Sequence, residues 1–231
     1  MQKVLLFLFL VSSLHVSAQD SGTIPVRQVG KSQPAEIESY RTFRMALSGG
    51  YSHRLGKIEE TGSQDLDDFS RRLRGGYGLG LDLDYFLREN WGIGLNVTYA
   101  EQQESDPGPL SVPDFGAVHN YSEVNRSIYV GPSYTMRLES KTFAFYWNMG
   151  LGPVFLVSGF EMPGVRGQIS KAGLGGHIGL TGEYRLSKYV GTGIKIAASG
   201  GEVKIYPDEA DKPKFSAANL LFTAFISFRT K

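Results

Sequence analysis

Between residues 43 and 228 the chain alternates large apolar residues with glycine or polar ones in eight runs, and the connections between runs are in turn long and very short. Residues 73–88 show the pattern best. Leu73, Tyr77, Leu79, Leu81, Leu83, Tyr85 and Leu87 share one face, and Arg74, Gly76, Gly78, Gly80, Asp82, Asp84 and Arg88 share the other. A period of two puts these sets on opposite sides of a strand. Soluble strands average roughly 5–6 residues, and a tilted strand needs about 9–11 residues to cross a bilayer. Runs of this length fit the second case.

The spacing predicts strands over 40–53, 72–88, 91–101, 124–138, 142–158, 170–186, 190–199 and 215–229. Polar loops are expected at 54–71, 102–122, 159–169 and 200–214, and tight turns at 88–90, 139–141 and 187–189. Long and short connections in alternation are the asymmetry of bacterial outer-membrane barrels, with short periplasmic turns and longer outer loops. The expected fold is therefore all-β, a closed eight-stranded antiparallel up-and-down transmembrane β-barrel over 40–231.

The amino-terminal end agrees with that destination. Lys3, the apolar run 4–11 and the small-residue site Val16-Ser17-Ala18 read as a signal peptide over 1–18. Its apolar core is far shorter than the about 20 residues of a membrane helix. Residues 19–39 are polar, contain Pro25 and Pro34, and read as an extension preceding the barrel. There is no cysteine, which excludes a disulfide or cysteine–metal framework. A net charge of +1 gives no global field for nucleic acid. Mean hydropathy is −0.18, more polar than helical membrane proteins, but only alternate residues of a membrane barrel face lipid.

Periodicity alone does not say which face is outside, and a secreted lipocalin-like barrel shares it. The polar face decides. It is rich in glycine and short residues, which suit the narrow interior of eight strands, whereas a solvated face carries many lysines and glutamates. The apolar face bears aromatics near strand ends, among them Tyr51, Tyr85, Trp91, Tyr99, Phe143 and Tyr184, as interfacial girdles require. Pro132 and Pro153 fall inside strands on that face and, lacking a donor, are expected to mark bulges.

The inward face also carries charge. Arg44, Asp82, Asp84, Arg137, Glu183 and Lys195, with His177, form the expected lumen network, alongside Tyr129 and Tyr146. Charges confined to a narrow interior must pair. Matching faces across the turn 187–189 place Glu183 opposite Gly193 and diagonal to Lys195, within side-chain reach. A catalytic pair at Asp82 and Asp84 is the competing reading, but a sealed interior admits no substrate. No serine motif such as G-x-S-x-G is present, and Gly76-Tyr77-Gly78-Leu79-Gly80 lacks the lysine and helix of a phosphate loop. His53 and His119 lie at strand ends or loops. The acidic clusters Asp65-Leu66-Asp67-Asp68 and Asp208-Glu209-Ala210-Asp211 lack calcium-loop spacing. No catalytic, cofactor or metal residues are assigned.

The segments Gly75-Gly76-Tyr77-Gly78-Leu79-Gly80, Tyr129-Val130-Gly131-Pro132-Ser133-Tyr134, Gly150-Leu151-Gly152-Pro153 and Gly173-Leu174-Gly175-Gly176-His177-Ile178-Gly179-Leu180 resemble the small OmpA/OmpX-like outer-membrane barrels of Gram-negative bacteria, the porin-family outer membrane protein beta-barrel domain. The resemblance covers 40–231 and implies a bacterial outer-membrane location. With no serine motif or nucleophile constellation in the sequence, no enzyme activity is expected; a monomer is expected, with outer-membrane lipid and the barrel-assembly machinery as partners. Because such folds host many roles, the expected function is a plugged barrel that stabilises the membrane or presents four extracellular loops to a ligand or surface. A small-solute porin is the alternative, and an outer-membrane lipid-modifying enzyme the second.

Overall fold

A computed structural model describes residues 42–56, 63–112, 116–203 and 215–230. The signal peptide, the extension 19–39 and the acidic cluster 208–211 lie outside the described residues. Eight long strands follow the predicted alternation: β1 (Phe43–Arg54), β2 (Gly75–Arg88), β3 (Trp91–Asp106), β6 (Tyr121–Glu139), β7 (Phe143–Met162), β8 (Val165–Arg185), β9 (Val190–Val203) and β11 (Asn219–Thr230). Short elements decorate the long-loop end: helix α1 (Gln64–Arg72), the ladder β4 (Leu110–Val112) with β5 (Gly116–Val118), and β10 (Phe215–Ser216) against β9.

Each long strand pairs antiparallel with its neighbours, and β9 pairs with both β8 and β11, so the pairing returns to its start. The stagger follows from the register. Phe43 opposes Tyr85, and the row continues through Ile93, Tyr134, Met149, Ile178, Ala198 and Leu220 to His53. One circuit thus climbs ten residues along β1, from 43 to 53. With ordinary strand rise and spacing, that stagger over eight strands sets a tilt of about 40°.

The apolar set faces outward. Leu47, Tyr77, Leu79, Ile93, Leu151, Leu174, Ile194 and Phe222 are all exposed, and an apolar exterior of this extent is stable only in lipid. Aromatics gather at both rims. Trp91 stacks on Tyr134 and Phe143 meets Tyr184 edge-on at the short-turn end, while Tyr77 lies against Tyr99 at the other.

Several expectations change. The loop expected at 159–169 is a Pro163-Gly164 turn, because β7 and β8 stay paired out to Met162 and Val165. Gly164 has φ +79°, a conformation that glycine adopts without strain and that a turn after proline needs. In the expected loop 102–122, β3 and β6 continue pairing as far as Asp106 and Tyr121, with the β4–β5 ladder between them. The expected loop 54–71 contains α1. Its acidic residues Asp65 and Asp67 lie in the first turn and Arg71 and Arg72 in the last, complementing the helix dipole. Leu73 therefore leaves the lipid face and is buried with Phe69 and Leu110. Pro132 and Pro153 produce no bulge. The β6–β7 ladder is interrupted over 130–132 and 151–153 and resumes in the same register, so both missing donors fall in one gap. A register shift does occur next to the turn, between Phe86 and Arg88.

Candidate functional site: the barrel interior

Inward positions come from every second residue of each strand, so the lumen is built in layers set by the stagger. At the short-turn end Arg44 is fully enclosed. Its Nη1 donates to Asp84 at 2.9 Å and its Nε to Glu183 at 3.0 Å, and its guanidinium lies 4.1 Å from the Tyr146 ring centre. Asp84 also accepts from the Thr135 hydroxyl at 2.8 Å. Arg229 stands 3.4 Å from the second Glu183 oxygen. Below them Glu139 collects Arg137, Arg185 and Arg229, and Arg137 covers the Phe86 ring at 4.0 Å.

The next layer is Asp82, both of whose oxygens accept from Lys195 Nζ, at 2.7 and 2.8 Å, with Asn96 Nδ2 at 2.8 Å. Higher up the bonding is uncharged. Thr98 meets Ser199 at 2.8 Å, Gln102 donates to Ser52 and Asn219, and Asn219 donates to Ser127. These contacts run across the lumen as well as around it, because β3 and β9 stand on opposite sides of the ring.

All seven residues expected to line the lumen are buried inside it. Six of them form ion pairs: Arg44 with Asp84 and Glu183, Asp82 with Lys195, and Arg137 with Glu139. His177 joins none and stacks on Tyr129, ring centres 5.6 Å apart. Glu183 does oppose Gly193 in register. Its expected diagonal partner, however, is corrected: Lys195 pairs with Asp82 and Glu183 with the arginines. Glu139, which the sequence places in a turn, Arg229 and Asn96 join the expected set, and strand parity is the signal that already places the last two inward. Asp82 and Asp84 are each committed to a cation, not to one another. Among the described residues no cluster of three or more acidic, histidine or cysteine side chains could hold a metal.

A hollow of about 920 Å³ is lined both by outward residues, among them Ile93, Tyr134, Met149 and Leu151, and by the inward Ser133, His177 and Ser199.

No family model and no curated protein matches the chain. Solved structures do. A major outer membrane protein from Thermus thermophilus aligns with a TM-score of 0.50 at 10% identity, over 83% of this chain and 100% of that one. Ail of Yersinia pestis, in complex with the heparin analogue sucrose octasulfate, aligns with a TM-score of 0.46 at 12% identity, over 81% and 98%. Neisserial surface protein A aligns with a TM-score of 0.47 at 9% identity, over 81% and 96%. With its ring of eight antiparallel strands, apolar exterior and polar interior, the chain has the fold of a small outer-membrane β-barrel protein.

Proposed function

We propose that this protein is a plugged outer-membrane barrel whose work is done outside the membrane, by the structure at its long-loop end. The observation that carries the reading is the lumen. Layers of buried ion pairs and side-chain amide hydrogen bonds cross it from Arg44 to Gln102, and eight strands leave room for little more than such side chains.

The long-loop end is built for contact. Strands β3, β6, β7 and β8 continue beyond the apolar band as a sheet, paired from Asp106 and Tyr121 across to Glu161 and Arg166. Among the described residues, 165–174 of β8 pair with β7 alone. Long connections lie outside the cell in barrels of this kind, which gives the sheet its orientation.

Conductance of the purified protein in a planar bilayer tests the reading. We expect at most small, unstable currents. Steady, large, ion-selective currents would establish the porin alternative instead. A tag inserted after Gly164 should be labelled on intact cells, and labelling only after the outer membrane is permeabilised would reverse the orientation.

A further inference from the structure

Midway along the lumen a group of buried polar atoms has no partner. Asn96 Oδ1, Tyr129 Oη, Ser133 Oγ, Asn148 Oδ1 and both ring nitrogens of His177 make no hydrogen bond among the described residues, and all five side chains are more than nine-tenths buried. The register makes them neighbours. Ser133 and His177 flank Gly150, and Asn96 opposes Gly131. The Tyr129 hydroxyl lies over both glycines: it would clash with a Cβ on Gly131 and stand 3.0 Å from one on Gly150. Asn148 Oδ1 and His177 Nε2 both lie beside the point where a Cβ of Gly179 would stand, within the span of one bridging water. The layers on either side are already bonded, Asp82 with Lys195 and Asn96 Nδ2 on one, Gln102 with Ser52 and Asn219 on the other.

Buried polar groups in native proteins are nearly all hydrogen-bonded, and one left without a partner destabilises the fold. Six in one place point to a bound guest, and the atoms say what kind. The two amide oxygens only accept, the two hydroxyls donate or accept, and a neutral imidazole does one at each nitrogen. An ion would be opposed by part of that set, and an apolar guest would satisfy none of it. We propose that this part of the lumen is a binding site for ordered water, which joins His177, Tyr129, Ser133, Asn148 and Asn96 into one network. At about three hydrogen bonds per buried water, the six atoms call for about two molecules. The inference rests on the plugged-barrel reading and names what completes the plug, which is then protein and water together.

The test uses the folded protein in deuterated detergent micelles, with isotope-labelled histidine, studied by nuclear magnetic resonance. Rotating-frame cross-relaxation should connect water to the carbon-bound ring protons of His177, which are identified by their loss in His177→Gln. Tyr129→Phe keeps the ring that stacks on His177 and removes only the hydroxyl, so the sign of its effect reports the state of that hydroxyl. A water-bonded hydroxyl stabilises the fold, and an unpartnered one does not. Tyr129→Phe should therefore lower the urea midpoint by roughly half a molar, and Ser133→Ala should do likewise. Heat-modifiable gel migration verifies folding, and Ser133→Ala decides if Tyr129→Phe fails to fold. A midpoint unchanged or raised in both variants overturns the site. So does a lack of water cross-peaks at His177, or cross-peaks to another side chain in their place. Conductance separates this failure from that of the plug: steady currents sink the plugged reading, whereas loss of the water site alone leaves the currents small.

Discussion

Glu183 shows how much one inward side chain can carry. Its side chain is wholly buried, and its oxygens lie 3.0 Å from Arg44 and 3.4 Å from Arg229. Removing one member of a buried ion network leaves the others charged and desolvated, which costs about 3–5 kcal/mol. Glu183→Gln should lower the unfolding midpoint accordingly, read by heat-modifiable migration or tryptophan fluorescence in urea. Arg166→Gln breaks a pair exposed on both sides and should leave the midpoint unchanged. Inward direction is legible for these residues because it follows from parity alone. Partner choice is not. Reasoning across one hairpin reaches only adjacent strands, while Lys195 and Asp82 meet across the lumen, 113 residues apart in sequence. Which levels face each other depends on the stagger around the ring, and that exists only once the ring closes.

Among the strands, the same alternation separates two kinds of tolerance. Leu81 points outward midway along β2, between Leu47 and Val97. Leu81→Arg should cost about 2–4 kcal/mol and impair assembly, because it places charge on the lipid face near mid-membrane. Gly80→Ala should be milder, since the added methyl meets the Ser48 hydroxyl, which can rotate away. Gly193→Ala should be worse than Gly80→Ala, because its methyl would press on the Gly182 carbonyl of the adjacent strand, and backbone does not yield. Folded fractions on unheated gels rank the three. An order in which Gly80→Ala is the most damaging would contradict the face assignment. Strand positions within the bilayer are readable from the sequence, but their outer ends are not. Beyond the membrane the apolar signal fades into residues such as Glu104, Ser122 and Gln168. These remain in ladders through backbone pairing that leaves no periodic trace.

The chain has two centres of packing with different solvents. The barrel is apolar outside and polar within, held by pairing that returns on itself. The cap has the reverse arrangement. Phe69, fully buried, packs with Leu73 and Leu110, and its ring meets Tyr121 edge-on at 5.1 Å, while Arg72 ties α1 to Glu104 and Asp106. The hydrogen bond that Arg72 donates to Glu104 raises the Arg72 pKa, so this tether stays charged wherever the carboxylates do. The helix is hard to see in the sequence because its apolar residues, Leu66 and Phe69 with Leu73 at the C-cap, are few and stand among acids that resemble solvated loop. Their three- and four-residue spacing is the available signal. The cap meets the barrel strands through Phe69 on Tyr121 and Arg72 on Glu104 and Asp106, at their outer ends, and we expect the two centres to fail separately. Phe69→Asp should bury an unpaired carboxylate in the cap and open it, making 63–74 a site of limited proteolysis. The barrel should keep its heat-modifiable migration and its urea midpoint. A joint loss of cap and barrel in Phe69→Asp would mean that α1 helps to close the ring, and the long-loop end would then be part of the barrel's stability and not an independent surface carried by it.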